Sequence, residues 1–128
     1  MLFRTRNNHR GFSLVELLIV IAIIGVIATI AIPILVSARN RAIDNKALNC
    51  LRTVASAEMA YYAAVGSYGD FAALEAGGYI DDRFAANNLG NGITITTAPA
   101  NGGQTFTCVI VGVTKTFSAD ESGKIAES

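Results

Sequence analysis

The chain opens polar, turns apolar for twenty residues, then shows helical periodicity before breaking into short strand-like runs. Leu17–Val36 reads LLIVIAIIGVIATIAIPILV, and only Gly25, Thr29 and Pro33 interrupt its aliphatic side chains. At ~1.5 Å per residue such a helix spans the ~30 Å hydrocarbon core of a bilayer. Beyond Val36, apolar residues recur at intervals of four and three at Ile43, Ala47, Cys50, Val54, Ala57 and Tyr61. That spacing is one stripe of an amphipathic helix. Leu48, Leu51, Ala55, Met59 and Tyr62 widen the stripe, while Arg41, Asn45, Arg52 and Ser56 fall on the wetter side. The pattern predicts one helix from about Ser13 to about Val65. Its front half, 12–36, suits lipid, and its back half, 37–65, suits a protein core.

Gly66 and Gly69 end the helical pattern and open a head of residues 66–128. Asp70 is placed to cap a short helix through Phe71, Leu74 and Glu75, stopped by Gly77-Gly78. Asp81–Gly92, rich in Asn and Gly, reads as loop. Ile93–Thr97 alternates as a strand, and the cluster from Pro99 to Gly103 reads as a turn. Thr105–Val113 is the strongest strand, with Phe106, Cys108 and Ile110 on one face. A further strand over Val113–Ser118 and a short edge around Lys124-Ile125 complete the expectation. The fold class is α+β, a long N-terminal helix packed on a small antiparallel sheet. About 60 residues of sheet and loop bury little alone, so the amphipathic half of the helix supplies the missing layer.

Composition sharpens this picture. The charged fraction is 16%, below the ~25% of soluble domains, and the mean hydropathy of +0.42 excludes a disordered chain. Between Arg10 and Arg39 the only charge is Glu16. Arg4, Arg6 and Arg10 precede the apolar run and favour a cytoplasmic N-terminus; Arg39 and Arg41 on the far side vote against it. Without residues 1–11 the net charge is −3, so no dedicated nucleic-acid site is evident. The only histidine, His9, lies in that same stretch, which leaves no catalytic Ser/His/Asp or Cys/His set after it. No phosphate-binding glycine loop is present, and no cofactor is expected. The chain does not read as an enzyme.

Two cysteines, Cys50 and Cys108, lack zinc-ligand spacing. Outside the cytoplasm an even pair is expected to bond, here joining helix to sheet for roughly 4 kcal/mol; two separate buried thiols are the alternative. No oxygen-ligand loop of recognisable spacing surrounds Asp81-Asp82 or Asp120-Glu121, so they read as solvated turns and no metal is expected. Tyr61, Tyr62, Tyr68, Phe71 and Leu74 read as core side chains.

Gly11-Phe12-Ser13-Leu14-Val15-Glu16 followed by the apolar run resembles the class III signal of type IV pilins and type II secretion pseudopilins. In that family a basic leader, here 1–11, ends in Gly and the product begins with Phe. Glu16 then becomes its fifth residue and Pro33 its twenty-second, both where the family places them. The resemblance implies cleavage between Gly11 and Phe12 and N-methylation of Phe12 by a membrane peptidase/N-methyltransferase. It also implies an assembly platform, an ATPase, and polymerisation with copies of itself and other pilins. The precursor is expected in the bacterial inner membrane, and the product in a surface pilus or periplasmic pseudopilus.

Residue chemistry supports this independently. An acid inside a spanning helix costs roughly 2.5–3.5 kcal/mol and asks for a partner. The freed amine of Phe12, basic with a pKa of about 8, would supply one on a neighbouring subunit. A glutamate at the interface that snorkels out to water is the alternative. Gly25 and Pro33 cost a helix about 1 and 3 kcal/mol and mark a segment able to bend or melt on packing. Major pilin, minor pilin and pseudopilin remain open. So do a permanent single-span anchor and, more remotely, a secreted binding domain cleaved after Ala38.

Overall fold

The computed structural model describes residues 10–128. Arg4, Arg6 and His9, with most of the expected leader, lie outside the described residues. The chain divides into two compact units, Met1–Ser37 and Ala38–Ser128. Helix α1, Leu14–Val65, contributes residues to both and keeps Pro33 inside it.

In the first unit no face of α1 is buried. The seventeen large apolar side chains from Phe12 to Val36 are each at least 50% exposed. Burying one is worth ~1.5–3 kcal/mol, so this surface leaves tens of kcal/mol uncollected within a single chain. The helix is long and apolar enough to cross a membrane.

In the second unit α1 behaves as an amphipathic helix. Ala47, Leu51 and Val54 are fully buried against the inner face of a four-stranded antiparallel sheet. Its strands β1 (Thr94–Ala100), β2 (Thr105–Val111), β3 (Thr116–Asp120) and β4 (Ile125–Glu127) lie in sequence order. Thr97 faces Cys108, Ile110 faces Phe117 and Ala119 faces Ile125. Strand alternation therefore turns Ile95, Phe106, Cys108, Ile110, Phe117 and Ala119 inward together. The short helices α2 (Phe71–Ala76) and α3 (Asp82–Ala85) connect α1 to the sheet and close the core through Leu74, Ile80 and Phe84. Asp70 caps α2, accepting from the Ala73 amide at 2.9 Å. The fold is α+β, as the periodicity implies.

Several boundaries differ from the sequence expectation, among them the end of β2, which falls at Val111 and not at Val113. Residues 82–85 form a helical turn because Asp81 accepts from the Arg83 amide and nucleates it. β1 runs on through Pro99, which an edge strand tolerates, and the turn falls on Asn101, Gly102 and Gly103 with positive φ. β3 starts at Thr116 and not at Val113, since the amides of Val113 and Thr114 are taken by Asp44.

Candidate functional site

The N-terminus of α1 is built by its own sequence. The Ser13 amide donates to Glu16 Oε2 at 2.8 Å, and the Glu16 amide donates to Ser13 Oγ at 3.1 Å. This reciprocal capping box satisfies two donors that a helix start would otherwise leave open. Its signature, Ser-x-x-Glu, stands in the sequence at 13–16, where the lone charge of Glu16 is the more conspicuous feature. Gly11 and Phe12 precede the cap, and Phe12 is 92% exposed. Glu16 thus lies one turn from the expected cleavage point with its carboxylate turned back towards it. Oε1 has no hydrogen-bond partner among the described residues.

Further along, Pro33 has no N–H for the carbonyl of Thr29, its i−4 position. The Thr29 hydroxyl meanwhile donates to the Val26 carbonyl at 2.7 Å. A Cβ placed on Gly25 would meet nothing within 4 Å. Phe12, Glu16, Gly25 and Pro33 are therefore not brought to one point; they are strung along a single exposed rod of the first unit.

The second unit holds two buried carboxylates that the sequence analysis missed. Asp44 Oδ1 accepts from the amides of Val113 at 2.8 Å and Thr114 at 3.1 Å, and Oδ2 accepts from the Thr114 hydroxyl. These bonds, the Thr114 hydroxyl first, hold its pKa below the ordinary value against the opposing effect of burial. Glu58 is fully buried; Oε2 accepts from the Gly69 amide at 3.1 Å and Oε1 from the Thr97 hydroxyl at 3.0 Å. Here burial prevails and pushes the carboxyl up. Asp44 pins α1 to the β2–β3 turn, and Glu58 pins it to the post-helix loop and β1.

Cys50 and Cys108 stand as free thiols, against the expected bridge. Cys108 faces Thr97 across the strands, and Thr97 donates to Glu58, so Cys108 lies level with Glu58. Cys50 is eight residues back along α1, about 12 Å by helical rise, where bridged Cα atoms stay within ~7 Å. Burial raises the Cys50 thiol and pushes Cys108 up to about 12, so neither is an activated nucleophile at neutral pH. Cys50 lines a shallow groove of about 890 Å³ between α1 and residues 78–84, beside Lys46 and the Asp81–Arg83 ion pair. Asp81 is thus engaged by Arg83, and Asp120 by Ser122. No cluster of three potential metal ligands forms among the described residues. Tyr68 stacks on Tyr62 and meets Phe106 at a tilt, and Tyr61 meets Tyr79 edge-on.

Residues 6–32 match the family model of the prokaryotic N-terminal methylation motif. The fimbrial protein EcpC of Eikenella corrodens is 33% identical over 111 residues, which is 86% of this chain and 69% of that one. The type IV major pilin protein PilA of Myxococcus xanthus is 40% identical over 69 residues. The chain belongs to the type IV pilin family. Its aligned part covers 54% of this pilin but only 31% of the Myxococcus relative. The type IV wide pilus major component PilA4 of Thermus thermophilus is 58% identical over 38 residues, 30% of this pilin and 29% of that chain. Likeness to this pilin is thus densest in short matches, and in the Eikenella protein it extends over 86% of this chain.

Proposed function

We propose that this pilin is a structural subunit of a type IV pilus and has no enzymatic role. Residues 1–11 are a leader, 12–36 the membrane-spanning and filament-core segment, 37–65 its amphipathic continuation and 66–128 the head. The precursor sits in the bacterial inner membrane with its N-terminus in the cytoplasm. A prepilin peptidase cuts between Gly11 and Phe12 and methylates the new amine, which stays basic. The subunit is then extracted by an assembly platform and its ATPase, and its apolar helix packs among copies of itself. Glu16 pairs with the Phe12 amine of a neighbour and selects one axial register; Gly25 and Pro33 let the segment adapt.

The observation that carries this reading is the unburied apolar surface of 12–36, interrupted by one carboxylate a single turn from the cleavage point. Such a surface demands lipid or other copies of itself. Mass spectrometry of the N-terminal peptide from the native source is expected to find methylated Phe12. Glu16→Ala is expected to be cleaved normally and to give few or no sheared filaments. A start at Arg39 would replace the reading with a secreted domain, and normal filaments from Glu16→Ala would end the ion-pair mechanism.

A further inference from the structure

The charges of the second unit are segregated. On α1 between residues 38 and 65 all four basic side chains, Arg39, Arg41, Lys46 and Arg52, are exposed, while both acids, Asp44 and Glu58, are buried and turned into the head. Residues 66–128 carry seven carboxylates against three basic side chains. Two of those bases are already engaged, Arg83 by Asp81 and Lys115 by Glu127. The exposed helix is therefore basic and the rest of the head acidic.

Two of these four basic side chains are also aligned. Arg41 and Arg52 are eleven residues apart, three helical turns to within about 20°, so they share one azimuth. Both lie away from the buried stripe of Ala47, Leu51 and Val54. Asn49 Oδ1 accepts from the Arg52 guanidinium at 3.3 Å, which steadies it along the helix; neither arginine has a carboxylate partner among the described residues. The acids are displaced along the same axis. Asp70 follows Gly69, whose amide binds Glu58, and the β3–β4 turn bearing Asp120 and Glu121 closes over Met59 at Gly123. This rim is level with residues 58–59, seven residues or about 10 Å beyond Arg52.

We infer that the exposed α1 stripe of Arg41 and Arg52 is a docking surface for a second copy of this chain, which presents its acidic rim around Glu121. A copy offset along α1 by about 10 Å brings that rim level with Arg52. Like rims then never meet, so the pattern favours staggered parallel neighbours over copies in register. The inference rests on the filament reading and adds a contact outside the apolar helix.

The test is Arg41→Glu/Arg52→Glu in the full-length chain in its own cells, with and without Glu121→Arg. Both arginines are exposed, so the subunit is expected at its normal level in the membrane. Sheared filaments should fall about tenfold and recover in part with Glu121→Arg. Wild-type filaments should also shorten as salt rises from about 0.05 M to about 0.5 M. Wild-type yield and salt resistance in the double variant would overturn the inference. So would a loss that Glu121→Arg fails to relieve, or a loss of the subunit from the membrane, which would instead indicate contact with lipid headgroups. A wild-type chain that forms no filaments would overturn the filament reading and this inference with it.

Discussion

Asp44→Ala removes the acceptor of three hydrogen bonds, from the Val113 amide, the Thr114 amide and the Thr114 hydroxyl. Bonds to an ionised group contribute ~1.5–3 kcal/mol each. Val113 and Thr114 are exposed, however, so water can replace part of what the carboxylate supplied. About 2–3 kcal/mol of destabilisation is expected in place of the full sum. In a domain the size of residues 38–128, 1 kcal/mol moves Tm by ~4–8 °C, so a fall of about 10–20 °C should follow. Asp44→Asn keeps Oδ1 for both amides and can donate to the Thr114 hydroxyl, and should cost about 1 kcal/mol.

The assay is thermal unfolding of the detergent-solubilised chain followed by tyrosine signal. All four tyrosines lie between residues 61 and 79, and there is no tryptophan, so helix retained in the micelle does not contribute. Because the folded Asp44 titrates below its ordinary 3.8, its stabilisation is present above that value. It is lost as pH falls from there through the folded pKa. An Ala variant melting within about 3 °C of wild type would refute the clamp, given the size expected. An Asn variant as damaged as the Ala variant would refute the account of its bonds.

Glu58 carries the opposite sign. Its folded pKa is raised above 4.5, so its contribution is fully present below 4.5 and lost as pH rises through the folded value. Glu58→Gln can still accept from the Gly69 amide and donate to the Thr97 hydroxyl. Its Tm relative to wild type should therefore climb between about pH 4.5 and 7; a gap independent of pH would refute this. For the thiols, native maleimide labelling should be slow at half-buried Cys50 and absent at Cys108 until unfolding. A native chain two hydrogens lighter than its sequence would show a bridge and overturn the separation argued from helical rise.

What was legible in the sequence is what local spacing encodes. The extent of α1 follows from periodicity, and the cap of α2 follows from Asp70 placed before Phe71. The inward strand face follows from Phe106, Cys108 and Ile110. Asp44 and Glu58 could not be read this way. The partners of Asp44 lie 69 and 70 residues away and those of Glu58 11 and 39, beyond any local helical spacing, and only the folded topology brings them together. The same bonds displaced the start of β3, since amides given to Asp44 cannot join a ladder. Even count and compartment suggested a bridge between the cysteines. Those arguments contain no axial coordinate, and eight residues of helix separate the two levels.

The three carboxylates of α1 can be compared directly, and the comparison isolates one. Each accepts a backbone amide: Glu16 from Ser13, Asp44 from Val113 and Thr114, Glu58 from Gly69. Asp44 and Glu58 also hold a hydroxyl each, so both oxygens of both groups are satisfied inside one chain. Glu16 has one amide on one oxygen and stands among exposed aliphatic side chains. One local bond of ~1.5–3 kcal/mol leaves a deficit over most of the ~2.5–3.5 kcal/mol range that an acid costs at the centre of a spanning helix. A cation from outside the chain would close that deficit, and the proposed Phe12 amine of a neighbour is a single charge of the right sign. The capping box bears on this as well: by holding Oε2 it limits the rotamers of Glu16 while leaving Oε1 open, which lowers the entropy lost when a second chain engages it. Ser13→Ala would remove one of the two bonds and leave the charge, so it should weaken assembly less than Glu16→Ala. Equal loss from both variants would place the cap, and not the carboxylate, at the centre of the contact.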